Sequence, residues 1–305
     1  MNFPDLDKMQ ASHPRWEVPS NWVVCLNLSG GTQSSFLFLA MRLGLLKPVS
    51  PNGDWATVVC IIADPGNENP ETYNYLDWLK ENTTDRLPVL VADGPNITDD
   101  LLDNRNRSRL DNPPFFVDKG DLGAGQLVHK CTSHYKIQPI RRAFRKWCRD
   151  KFKIDPATSS HRFTVDCWIG FTSDEVRRVN RFDHSSQPQY MPVRFPLNEL
   201  NIDKQQVSEF YEEFGIPMPS RSMCEICFAH GLSSRKKQAE ERPGQFELAC
   251  KVDDEIRDLR HCGVTYPVYV SNTLIPLRKL KENGFSTGNR MKDAESECNS
   301  GVCFL

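Results

Sequence analysis

Ser29-Gly30-Gly31-Thr32-Gln33-Ser34-Ser35 combines two adjacent glycines with a run of side chains that can donate or accept hydrogen bonds. The apolar run Trp22 to Leu28 leads straight into it and a helical pattern begins near Phe36, so the segment reads as a strand-to-helix turn. Such a turn aims successive backbone N–H groups and a helix N-terminus at one point, which suits a phosphate or sulfate oxyanion. Glycine lets the backbone approach the anion with no Cβ in the way, and the hydroxyls add donors. The same pattern also describes a tight turn closed by an ordinary serine cap.

A second candidate is Cys224-Glu225-Ile226-Cys227, whose spacing is used alike by zinc, iron–sulfur and thiol-redox sites. A zinc ion would find a nearby partner in His230, and reduced thiols without a metal remain a third reading. Cys25, Cys60, Cys148 and Cys167 fall on strand or helix patterns and read as small core residues. A third feature is a charge run: from Lys130 to Lys153 nine lysines and arginines face one acid, Asp150. That run is either a solvated helix face or a surface for phosphate or RNA.

These segments need a scaffold. Continuously apolar, β-branched runs at Trp22 to Leu28, Ala56 to Ala63, Pro88 to Val91 and Phe163 to Phe171 read as buried strands of a parallel sheet. Helical period separates them at Ser34 to Leu45, Pro70 to Lys80 and Ile137 to Arg149, the last with Ile137, Ile140, Phe144, Trp147 and Cys148 on one face. Strand and helix in alternation predict a doubly wound α/β fold with a mostly parallel sheet. Val207, Phe210, Tyr211 and Phe214 mark a further amphipathic helix, and a boundary near Leu200 divides a nucleotide-binding domain, 1–200, from a smaller helical one, 201–305.

With 305 residues, 39% hydrophobic and 26% charged, the chain has the composition of a globular protein. Its net charge of −2 does not advertise nucleic-acid binding by the whole surface. Met1 to Trp16 is polar, neither signal peptide nor membrane anchor, so the expected location is the cytoplasm, with no membrane partner. Eleven cysteines without an export signal argue against a disulfide framework.

The loop resembles the Ser-Gly-Gly-x-Asp-Ser pyrophosphate loop of the PP-loop, or adenine nucleotide alpha hydrolase, superfamily, with Gln33 in place of the acid. Asp64-Pro65-Gly66-Asn67-Glu68-Asn69-Pro70-Glu71-Thr72 is similar to the Asp-Thr-Gly…Pro-Glu-Thr segment of phosphoadenosine phosphosulfate reductases. Cys131 with Lys136-Ile137-Gln138-Pro139, and Gly170-Phe171-Thr172-Ser173-Asp174-Glu175, resemble later elements of their reductase-like relatives, a group often carried by phages and mobile elements.

The resemblance spans most of Trp22 to Cys227 and implies an adenine nucleotide, ATP or a sulfated one, with Mg2+ as a further expectation. It implies phosphate contacts from Ser29, Gly30, Gly31, Thr32, Gln33, Ser34 and Ser35, with Asp64 beside the adenosine. Arg141 and Arg142, or Lys136, would neutralise the nucleotide's charged end. An acid at position 33 would support a metal-assisted ATP site, whereas glutamine is closer to what reductase loops carry.

The resemblance also places Cys131 near the nucleotide, so that Cys131, Cys224 and Cys227 become three soft ligands of the kind that hold a [4Fe-4S] cluster, with Cys303 or Cys298 as a fourth. With three ligands one iron stays open to carry a sulfide, as in PP-loop tRNA thiolation enzymes. Sulfonucleotide reductases instead attack sulfur with a cysteine on a C-terminal segment, a role open to Cys303 or to Cys298, whose Glu297-Cys298 pair resembles their motif without the Gly-Leu-His that follows it. Three functions follow as expectations: adenylation with pyrophosphate release coupled to sulfur transfer from a sulfur donor, reduction of a sulfated nucleotide with a thiol-redox partner, or a non-catalytic accessory that binds nucleotide or a tRNA or DNA partner.

Overall fold

The computed structural model describes residues 22–48, 56–106, 113–158 and 164–287. Its centre is a five-stranded sheet in the order β3-β2-β1-β6-β7, made of β1 (Trp22–Asn27), β2 (Thr57–Ala63), β3 (Val89–Ala92), β6 (Thr164–Trp168) and β7 (Val193–Arg194). Every pairing in it is parallel. The strands are covered on both faces, and this is why they read as continuous apolar runs. Val24, Leu26, Cys60 and Ile62 enter one core, while Val23, Cys25, Val59 and Ile61 enter the other.

The first core is covered by α1 (Thr32–Arg42), α2 (Pro70–Glu81) and α7 (Lys204–Glu213), the second by α4 (Gln138–Phe152). Helix α2 starts where Asn69 accepts from Thr72 N at 2.8 Å and Pro70 fills the first turn, a local reason for the Asn-Pro-Glu-Thr run. Along α4 Ile140, Phe144 and Cys148 are buried, as the helical period predicts, and a π-helical turn, Ser133–Ile137, precedes it. The expected doubly wound α/β fold is present. The four cysteines read as core residues, Cys25, Cys60, Cys148 and Cys167, are all buried.

A third core is separate from the sheet. It joins α3 (Ile97–Leu102) and the antiparallel strands β4 (Phe116–Asp118), β5 (Ala124–Gln126) and β8 (Val268–Tyr269) to α9 (Pro243–Glu255) and α10 (Leu277–Glu282). Three further helices each join one core: α5 (Val176–Asn180) packs Val179 on the second, α6 (Pro196–Glu199) puts Leu197 in the first, and α8 (Leu232–Glu241) packs Leu232 and Ala239 on the third. The cores therefore do not divide at residue 200: Val207, Phe210 and Tyr211 of α7 belong to the sheet, and Phe115, Val117 and Tyr135 belong with the C-terminal helices. Among the described residues no helix is long and apolar enough to cross a membrane.

The third core is tied internally by Asp253, which is buried and accepts from Val270 N at 2.8 Å, Leu277 N at 3.0 Å and Arg257 at 2.6 Å. Removing it strands two buried N–H groups and a guanidinium, so Asp253→Ala is expected to lower stability by about 3–5 kcal/mol in urea unfolding. A loss below about 1 kcal/mol would show that water replaces the carboxylate there.

Candidate functional site

In the strand order β1 and β6 are neighbours, and the chain builds outward from them in opposite directions, to β2 and β3 on one side and β7 on the other. Ligands of open α/β sheets bind beyond the strands' carboxyl ends at this switch point. A cavity of about 760 Å3 lies there. Asn27, Leu28, Ile61 and Ala63 line it at the strand ends, Ser29 and Gly31 to Ser34 line it from the loop, and Ile169 to Phe171 and Asp174 to Arg178 line it from the chain after β6.

The loop keeps its shape through contacts that only these residues permit. Gly30 has φ 75°, and a Cβ there would meet Leu76 at 2.9 Å. Ser29 Oγ and Ser34 Oγ are 2.9 Å apart, and Tyr211 donates its hydroxyl to Thr32 O at 2.7 Å. Gly31 is the N-cap of α1 and offers no side-chain cap, so the N–H groups of the first turn are left to an incoming anion. From the other side Gly170 packs so close that a Cβ would sit 3.0 Å from the Gln33 carbonyl carbon.

Of the residues expected from sequence, Ser29, Gly31, Thr32, Gln33, Ser34 and Lys136 line the cavity. Gly30 turns toward α2, and Ser35 is fully buried within α1. Asp64 stands one residue beyond the lining, where its carboxylate accepts from Gly66 N and the Tyr73 hydroxyl, both at 2.7 Å. Arg141 donates to Gln187 at 2.7 Å in a small adjoining cavity that shares Asn27, Ile140 and Ile169 with the first, and Arg142 reaches the Asp93 carbonyl at 3.5 Å. Farther along α4, Arg145 and Arg149 converge on Asp155, and Lys146 holds Asp150, so much of the charge run is spent within the chain. Asp155 is held well below the usual carboxylate range, first by its hydrogen bond from Arg145.

The cavity's other cations come from segments that the sequence reading passed over: Arg177, Arg178, Lys204 and Arg221. The signal was present in Arg177-Arg178, directly after the Gly170 to Glu175 element, but nothing local shows that Lys204 and Arg221 return to the loop. Ser222 does return, with its Cβ 3.7 Å from where a Gly31 Cβ would stand, and Thr32 donates to Pro219 O at 3.3 Å. Glu175 caps its own turn through Thr172 N and Oγ1, and also takes Arg178 at 2.6 Å and Gln33 at 3.4 Å.

Cys131, Cys224 and Cys227 line a second, mostly apolar cavity of about 50 Å3, together with His129. It shares Lys136, Arg221 and Ser222 with the first. The 224–227 loop is seated by Glu225 N on Asn67 O at 2.8 Å and by buried Arg235, which donates to the Glu225 and Cys227 carbonyls, both at 2.6 Å. Burial pushes the Cys131 thiol up to about 12 and raises the other two. His230 has both ring nitrogens engaged, by Ser234 at 2.7 Å and the Cys224 carbonyl at 3.0 Å. Among the described residues no three Cys, His, Asp or Glu side chains are grouped so as to hold a metal ion as they stand. Cys298 and Cys303 lie outside the described residues.

Neither a protein-family model nor a curated protein matches this chain. Buried Glu68 joins the two cavities' shared wall, accepting from Lys136 at 2.9 Å and from Ser222 at 3.1 Å. Burial pulls the Lys136 ammonium down, but the Glu68 carboxylate outweighs it and leaves the group above the ordinary lysine value, hence charged at neutral pH. Lys136→Met strands the Glu68 carboxylate and is expected to cost about 3–5 kcal/mol in denaturant unfolding. Adding Glu68→Gln removes the stranded charge and should recover most of that loss; a double variant as unstable as the single one would show that the pair is not the cause.

Proposed function

We infer that this chain is an adenine-nucleotide enzyme that activates a substrate oxygen by adenylation and passes the activated carbon to sulfur. The observation that carries this reading is the pairing of two cavities: an anion-type loop at the sheet's switch point, and three thiols directly behind a wall that contains Lys136, Arg221 and Ser222. Oxygen attacks the α-phosphorus of ATP and the bond to the bridging oxygen breaks, so that pyrophosphate leaves with its electron pair. A sulfur nucleophile then attacks the carbon bearing that oxygen, the carbon–oxygen bond breaks, and AMP departs. The α1 N–H groups hold the departing pyrophosphate, with the Ser29, Thr32 and Ser34 hydroxyls fixing the loop around it, and Lys136 lines the same cavity from its ion pair with Glu68, a preorganised arrangement that favours the transition state.

One observation favours a second reading. Gln33 leaves the loop without an acid and hydrogen-bonds Glu175 instead, as suits the reduction of a sulfated adenine nucleotide. There a thiol attacks sulfur, the nucleotide leaves with the ester oxygen, and a second thiol from a redox partner releases sulfite while a disulfide forms. The purified chain incubated with ATP and with a sulfated adenine nucleotide separates the two. Pyrophosphate and AMP are the expected products from ATP, with water taking the adenylyl group in place of the acceptor, and a dithiol is supplied to both incubations. Sulfite alone would transfer the assignment to the reductase reading, and bound nucleotide with no product would leave a binding protein.

An iron–sulfur centre on Cys131, Cys224 and Cys227 rests on donor chemistry, three soft ligands around one apolar space, and the thiols would have to draw together around it. Bound there, it would supply a site for sulfide or for electrons. Iron and acid-labile sulfide, assayed with zinc on protein purified without oxygen, should reach about four of each per chain and fall with Cys227→Ala. Zinc alone, or no metal, would remove the cluster from the proposal.

A further inference from the structure

Polyphosphate bound in a protein needs its charge balanced, either by a divalent cation held on carboxylates or by cationic side chains. Both acids that line the switch-point cavity already face cations of this chain, Glu175 in a buried network and Asp174 in an exposed pair. Glu175 accepts from Thr172 at 2.9 Å, from Arg178 at 2.6 Å and from Gln33 at 3.4 Å, so both of its oxygens are occupied. Asp174 pairs with Lys204 at 3.4 Å. Gln33, the loop's own long side chain, is neutral.

Cations outnumber those acids in the lining, and although Lys136, Arg178 and Lys204 are paired, they converge on the loop from four segments. Lys136 comes from the π-helical turn, Arg177 and Arg178 from the chain after β6, Lys204 from the start of α7, and Arg221 from the stretch that passes over Gly31. Arg178 is preorganised, with its guanidinium 4.1 Å from the Phe171 ring centroid and its charge tied to Glu175. Arg177 makes no ion pair among the described residues, although it lines the same cavity.

We propose that the nucleotide's phosphates are neutralised here by side chains instead of a divalent cation, and that Arg177 is the group that closes on them. The inference rests on the reading of this cavity as a nucleotide site. A guanidinium can match two phosphate oxygens at once, and an exposed one gives up little to do so. Arg177 would then set the preference for nucleotides with more phosphate charge, since each added phosphate offers it another acceptor pair.

The test uses the full chain, with ATP, AMP and inorganic pyrophosphate as probes, each titrated calorimetrically in excess EDTA and again with magnesium. ATP and pyrophosphate are expected to bind in EDTA with affinities within about threefold of those in magnesium. Arg177→Gln is expected to weaken both by roughly ten- to a hundredfold at unchanged melting temperature, while AMP changes much less. Binding of ATP that collapses in EDTA, or an Arg177→Gln affinity equal to the parent's, overturns the proposal and leaves the nucleotide site standing. If neither ATP nor pyrophosphate binds under either condition, the reading of the cavity itself fails, and the inference with it.

Discussion

The ion pair between Lys136 and Glu68 is the constraint on which the rest of the site depends. Two charges taken out of water lose several kcal/mol of hydration each, and only close mutual contact with further hydrogen bonds makes that tolerable. Ser222 supplies such a bond, and Glu68 and Cys224 form an isolated β-bridge. The loop after β2, the turn before α4 and the stretch around Ser222 are thereby fixed against one another. The wide π-helical turn is part of the same arrangement, because it carries Lys136 at the point where regular α4 has not yet begun.

Electrostatics in this chain divides into charge that is spent and charge that is held ready. The basic run along α4, conspicuous in the sequence, is spent on Asp150, Asp155 and backbone carbonyls of its own chain. The cavity has fewer cations, but they come from several segments and face one space whose far wall is the uncapped end of α1. Convergence in space decides what an anion meets, and a linear count of charges does not register it.

What the sequence disclosed follows from which signals are local. Buried parallel strands are apolar on both faces, so β1, β2, β3 and β6 stood out, as did the glycine-rich turn after β1. The two-residue strand β7 is too short to carry a pattern, and β4, β5 and β8 have too few residues for alternation to be read. Arg221 and Lys204 join the loop only through tertiary contact, and no spacing records that. Arg141 and Arg142 were expected at the nucleotide from the resemblance; neither lines the first cavity, Arg141 standing in the one that adjoins it and Arg142 against the Asp93 carbonyl. The boundary at residue 200 followed composition, whereas the cores are sorted by which apolar faces meet, with α7 on the sheet and Tyr135 among the C-terminal helices.

That interleaving of cores governs how the chain can assemble. The third core takes Phe115, Val117 and Tyr135 from before β6 and Val252, Val268 and Leu277 from long after it. During synthesis the earlier set must wait, its apolar faces uncovered, until the later helices emerge, and this loop closure is slow compared with local helix formation. The two cores on the sheet draw no buried residue from beyond Ile216, so they can form while the later helices are still to come. The pocket behind Lys136 takes Ile97, Tyr135 and Phe228 from the third core, so it is complete only once the early and late sets have met.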